Sequence, residues 1–379
     1  MRSIRRWIRI WLTRLPGDLG EKVLLPRIRV LYDRMPFLTW RTRSYARNEA
    51  KRILTAISNG ADTVTIVYDT KVAGLAFGSI VNFVALARCL IILQVRVRLL
   101  FVHTNRVVEL NEEASQQEID DFLTVSQEFS EKALESSQSD VQQVSSSDLE
   151  ALLTAQAHQY ILFEDFTRNR RPYFRDCFNV LNQLMDTIDE DLRSSAVYSP
   201  ETFQSVLPKP FQDRSYITWA CRYSPLGTDL GRQTYSREFS SIYEYLRRNF
   251  PKHSIVVVSD KIGCDHYAQL SESLNIDDLE FSKNYETDFV SDAALVLSSD
   301  FFFSFRAGGI GQLALLSQVP FEIMSPVMNE IPWSNSSLTS WQTPEQSFVI
   351  LNKHQFEKNR EQDLDHLGSH PLTKRVLSD

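Results

Sequence analysis

From residue 215 to residue 325 the chain alternates short runs of β-branched and aromatic residues with segments of helical period. "SYITWACR" reads as a strand and residues 236–250 as a helix; "HSIVVVSD" reads as a strand and "DHYAQLSESL" as a helix. "DFVSDAALVLSS" is helical, "FFFSF" a strand, "IGQLALLSQ" a helix and "PFEIM" a strand. Strands alternating with helices of this length imply a doubly wound parallel sheet. The same pattern occurs earlier. "DTVTIVYDT" (residues 62–70) is a strand, followed by a loop with Gly74 and Gly78, a largely buried helix over residues 79–93, and the strand "VRVRLLFVH" over residues 95–103. The expected fold class is α/β, with two Rossmann-like domains and an N-terminal amphipathic helix.

A length of 379 residues suits two domains of ordinary size. Residues 1–55 read as a basic arm and 56–205 as the first domain. Residues 206–379 read as the second, after a junction marked by Pro200, Pro208 and Pro210. Within the first domain, residues 107–156 hold no Gly or Pro, and Ile119, Phe122, Leu123, Phe129 and Leu134 keep approximate helical spacing. That stretch reads as an acidic helical insertion with a flexible serine run at residues 145–147.

The net charge of −7 is unevenly placed: residues 1–52 hold 14 Lys/Arg against 4 Asp/Glu, and the remainder 27 against 44. A basic arm on an acidic body points to an anionic surface as partner. In "MRSIRRWIRIWLTRLPGDLG", Ile4, Trp7, Ile8, Trp11, Leu12 and Leu15 recur at helical spacing, with arginines between them and Pro16-Gly17 as the stop. Such a helix suits a membrane interface through residues 2–15, or packs on its own protein. No apolar run reaches the length of a membrane span, and no secretory signal pattern is present. The expected location is cytoplasmic, peripheral on the inner membrane surface, with no nucleic-acid partner.

Cys89, Cys177, Cys221 and Cys264 form no CxxC pair and read as reduced core thiols. The seven histidines form no HxxxH or HExxH pair. "IDED" (residues 188–191) is the one stretch resembling a D-x-D metal motif, but it follows a helical pattern rather than a strand, so no metal is expected.

Ligands of open α/β sheets bind beyond the carboxyl ends of the strands. "FFFSF" ends there in Arg306, Gly308, Gly309 and Gly311, just where a helix starts. Glycines let a backbone approach a ligand, helix N-termini attract anions, and an arginine supplies a fixed countercharge. A diphosphate fits this combination; a tight β–α turn with a solvated arginine is the other reading. The spacing is not G-x-G-x-x-G, which sets aside an NAD(P) oxidoreductase. Arg222 ends another strand and would neutralise a departing nucleoside diphosphate, or form an interdomain salt bridge. Asp260 ends "IVVVSD" and could bind ribose or base, whereas Asp292 reads as a helix cap. Arg168 and Arg171 follow a first-domain strand and would hold an anionic acceptor, or lie on a solvated face.

"SYITWACRYSPLGTD" and "GLAFGSIVNFVALARCLIILQVRVRLLFV" together resemble the GT-B fucosyltransferases, the α1,2, α1,6 and protein O-fucosyltransferase superfamily. The resemblance covers roughly residues 62–103 and 215–325. It implies two Rossmann-like domains facing a cleft, with Arg222 as the catalytic arginine on the donor diphosphate, and Gly78 with Asn82 as the donor-binding glycine loop. It implies a nucleotide-sugar co-substrate, no bound cofactor, and transfer to a glycan or lipid-linked acceptor. Ala220, Tyr223 and Pro225 stand where that family has a histidine, a second arginine and an acid. The alternative is therefore a non-catalytic protein that keeps the fold as a nucleotide-binding interaction module.

Overall fold

The structure is a computed structural model that describes residues 48–70, 75–103, 115–154, 159–163, 180–181, 183–223, 234, 236–305, 309–325 and 346–350. The basic helix expected over residues 2–15 lies outside them, as do Cys177, Arg168, Arg171, Arg306 and Gly308.

Helix α1 (residues 48–58) leads into a four-stranded sheet. Its strands are β1 (Thr63–Asp69), β2 (Arg96–His103), β3 (Ser139–Ser145) and β4 (Gln159–Phe163), with α2 (Phe77–Ile92), α3 (Gln116–Ala133) and α4 (Ser146–Thr154) between them. The order is β3-β2-β1-β4, and every pairing is parallel. Short helices α5 (Glu190–Ala196) and α6 (Pro200–Phe203) then lead to β5 (Tyr216–Ala220), α7 (Ser236–Asn249), β6 (Ser254–Val258), α8 (Lys261–Ser273) and β7 (Leu279–Phe281). The chain continues through α9 (Phe289–Leu297), β8 (Phe301–Phe305), α10 (Gly309–Leu315), β9 (Phe321–Ser325) and β10 (Gln346–Ile350). This six-stranded sheet has the order β10-β9-β8-β5-β6-β7, again parallel throughout.

Counted from its own first strand, the second sheet reads 3-2-1-4-5-6 and the first 3-2-1-4, the strand orders of Rossmann-like units. Each order reverses direction once. The switch point lies between β1 and β4 in the first sheet and between β5 and β8 in the second.

Period 2 sorts the β5 side chains. Tyr216 and Ala220 face one core, and Ile217, Trp219 and Cys221 face another formed with α7 and α8. The first of these cores is continuous with the core of the first sheet, through α2, α3, α9 and α10. Ala50 and Ile53 of α1 belong to it, so the chain from residue 48 packs with the first sheet. The proline-marked stretch between the sheets is packed too: Tyr198, Phe203 and Phe211 are buried. Tyr198 donates to the carbonyl of Val81 at 2.6 Å, and its own N–H donates to Leu316 O at 2.7 Å. Arg88 donates to the carbonyls of Ala133, Ser195 and Val197 at 2.8–2.9 Å, which ties α2 to the end of α3 and to this connection.

Two sequence expectations are corrected. Residues 107–156 are not helical throughout, because Ser139–Ser145 is the edge strand β3. Its polar sequence "SDVQQVS" carries little apolar signal, since an edge strand has little core to cover. The serines that read as flexible lie at the end of β3 and the start of α4, where Ser145 Oγ accepts from the N–H of Asp148 at 3.1 Å. Asp292 does not cap α9. Asp288 does, accepting from the N–H of Ser291 at 2.8 Å. Asp292 is buried one turn inside, 2.5 Å from Lys283 Nζ and 2.7 Å from Thr287 Oγ1. Burial pushes its carboxyl above the ordinary range, against the opposing pull of Lys283.

Candidate functional site

At the second switch point, Ala220 of β5 lies between Val258 of β6 and Ser304 of β8. The chain leaves β5 through Cys221, whose N–H still donates to Val258 O at 3.2 Å, and then reaches Arg222. The Arg222 carbonyl accepts from the Tyr267 hydroxyl at 2.6 Å and from the N–H of Thr234 at 3.1 Å. Tyr267 is fully buried and stacks on Phe239, with ring centroids 5.3 Å apart and planes within 4°. The backbone at Arg222 is therefore pinned to the core, while the residue itself is half-buried.

Tyr223 comes next. Its ring stacks on His266 of α8, centroids 3.8 Å apart and planes within 12°. Tyr267 meets both rings nearly edge-on, at 79° and 74°. Burial holds His266 below the ordinary imidazole range, which favours its neutral form. Asp260 lies two residues past β6, as expected, and is exposed. Its Oδ1 accepts from the N–H of Gly263 at 2.7 Å and caps α8. Capping alone accounts for an aspartate at this position.

The glycines are brought together, but against each other. α2 leaves the first switch point and α10 the second, and their N-terminal turns meet. A Cβ on Gly309 would stand 2.8 Å from the backbone nitrogen of Gly78, and a Cβ on Gly78 would stand 2.7 Å from Gln312 Oε1. Both glycines are thus explained by the close approach of two helices. Gly311 is buried within α10. Asn82, one turn along α2 from Gly78, is wholly buried, and neither atom of its amide has a hydrogen-bond partner among the described residues. Gln312 Oε1 is in the same state.

The structure therefore separates the expected donor-binding residues into two groups. Arg222 and Asp260 sit at the carboxyl ends of β5 and β6, and Gly78 and Gly309, half-buried, form a junction with the buried Asn82 and Gly311. Sequence reasoning missed Tyr223, His266, Tyr267 and Gln312. Tyr223 registered only as a departure from the fucosyltransferase pattern, and His266 and Tyr267 as part of a helix. Their place in the first turns after β6 was the available signal. Cys89, Cys221 and Cys264 are buried free thiols, and burial pushes Cys89 up to about 12. Among the described residues no group of three or more His, Cys, Asp or Glu gathers to hold a metal, and no helix is long and apolar enough to cross a membrane.

No protein-family model matches the chain, and no curated protein matches it in sequence. Solved structures do resemble it in shape. A glycosyl transferase of family 9 from Veillonella parvula superposes with a TM-score of 0.44 and 11% identity, over 82% of this chain and 92% of that one. The E. coli ADP-heptose LPS heptosyltransferase II gives 0.41 and 9%, over 76% and 90%. The E. coli heptosyltransferase WaaC with ADP-2-deoxy-2-fluoro heptose gives 0.36 and 11%, over 69% and 88%. Likeness at this level carries no argument about chemistry, which has to come from the residues.

Proposed function

We propose that the protein is a metal-independent glycosyltransferase of GT-B form, moving a sugar from a nucleotide sugar to a glycan or lipid-linked acceptor. The observation that carries this reading is the pinned strand end at Arg222, at the switch point of a sheet with the full Rossmann-like order. When the bond between the anomeric carbon and the diphosphate oxygen breaks, negative charge builds on the leaving nucleoside diphosphate. A guanidinium carried on a preorganised backbone neutralises that charge without reorganising, and its fork matches phosphate oxygens in pairs. Arg306 follows β8, the strand beside β5, and is proposed as the second cation. Asp260 is retained as a ribose contact through its uncommitted oxygen, and Arg168 and Arg171 as acceptor contacts. A donor of GDP-fucose type follows from the resemblance of the β5 and α2 segments. Residues 2–15 are proposed to attach the protein to an anionic inner membrane surface.

The test is release of nucleoside diphosphate from a panel of GDP-, ADP- and UDP-sugars, with and without chelator. Turnover that survives chelator supports the reading, and turnover that requires a divalent metal overturns its metal-independent part. The Gly78–Gly309 contact favours a second reading, a non-catalytic nucleotide-binding module, because protein fills the space the glycine loop would offer a donor. Tight nucleotide binding without turnover of any donor would select it.

A further inference from the structure

We propose that the Tyr223–His266 pair is the nucleobase platform of this site, taking the base of a nucleoside diphosphate by stacking. The inference rests on the donor-site reading above and adds the part of the substrate that a cation at Arg222 does not address. Three observations carry it. The rings are already parallel, centroids 3.8 Å apart, so a third flat ring extends an existing stack rather than organising a new one. The pair stands on the buried Tyr267 ring, whose hydroxyl holds the Arg222 carbonyl, so platform and arginine share one rigid support. The helix that carries His266 also exposes an apolar side chain. Ile262, one turn before His266 on the same face of α8, is 57% exposed, the most exposed large hydrophobic side chain among the described residues.

The chemistry fits a base better than a sugar or a peptide. Both half-buried rings offer flat π faces, and Tyr267 meets each of them nearly edge-on. Stacking of this kind is tolerant of base identity, so discrimination among purines and pyrimidines is expected to be weak here.

The experiment compares nucleoside diphosphates with inorganic pyrophosphate by calorimetry, on the full chain and on Tyr223→Ala, His266→Ala, Tyr223→Phe and His266→Phe. In the wild type, GDP, ADP or UDP is expected to bind more tightly than pyrophosphate. Each alanine variant should weaken nucleotide binding by about 5- to 150-fold, the range for loss of one base–aromatic stack, and leave pyrophosphate binding unchanged. Each phenylalanine variant should restore most of the loss, which separates stacking from a folding defect. If the alanine variants lower nucleotide and pyrophosphate affinity together, or phenylalanine does not rescue, the platform is refuted while a diphosphate site stands. A wild type that binds neither ligand refutes the platform and the donor site alike.

Discussion

Strand-to-helix turns of two kinds occur in this molecule, one built from large side chains and one from glycines. After β5 the chain carries Arg222 and Tyr223, large half-buried side chains at a pinned strand end. The turns leading into α2 and α10 carry glycines, which in many α/β proteins let a phosphate approach. Here Gly309 and Gly78 let the helices approach each other. The glycine turns bind one half of the protein to the other, and the turn after β5 is the one proposed to meet a ligand. A glycine reports that something comes close and does not say what.

This contrast can be broken by experiment. The largest expected effect is at the turn after β5: Arg222→Ala should lower transfer by about 100- to 1000-fold while the melting temperature holds. Lysine should rescue poorly, because a point charge does not reproduce the guanidinium fork. Wild-type turnover by the alanine variant would place the chemistry elsewhere.

A control lies inside the same sheet, beneath α7. Glu322 is buried, accepts from the Tyr245 hydroxyl at 2.9 Å, and has a carboxyl pushed up to about 7 by burial. Unfolded, it loses its proton near the ordinary value of 4.5. The unfolded chain thus holds fewer protons between these values, and stability falls as pH rises from 4.5 to 7, then levels off. The loss is on the order of 3 kcal/mol. Denaturant titration across this range should show that slope in the wild type and lose it in Glu322→Gln, with nucleotide affinity unchanged. A pH-independent difference between the two proteins would mean that Glu322 is ionised in the fold.

At the glycine turns the effects are on stability. Gly309→Ala drives a methyl into the Gly78 backbone and should cost about 1–3 kcal/mol, because backbone must shift. Gly78→Ala meets only the end of the Gln312 side chain and should cost less than about 1 kcal/mol. Thermal melts of the two variants check the order. If instead Gly78→Ala leaves stability intact and abolishes nucleotide binding, the junction is part of the donor site after all.

The interior strands were legible because burial on both faces demands apolar residues. "TVTIVYD", "SIVVV" and "FFFSF" announce themselves, and the helices between them force parallel pairing. The edge strand β4 was legible too, but β3 and β7 were not, because β3 is polar and β7 is only three residues long. Arg222 and Asp260 were placed correctly at strand ends, since strand ends follow from strand positions. Asp292 was misread because an acid early in a helix looks the same whether it faces solvent or, as here, is itself buried against a half-buried lysine.

By itself, then, the sequence determined the α/β class, the interior strands with the helices between them, and the strand ends that carry an arginine and an acid. These depend on local period and burial, which a linear pattern records. Only the tertiary structure decided that the glycine turns face each other, that Tyr223 and His266 stack, and that Tyr267 supports both them and Arg222. Tyr223 and His266 are 43 residues apart in sequence, and Gly78 and Gly309 231 apart. Contacts at such separations depend on how the sheets and helices dock, and no local pattern encodes that.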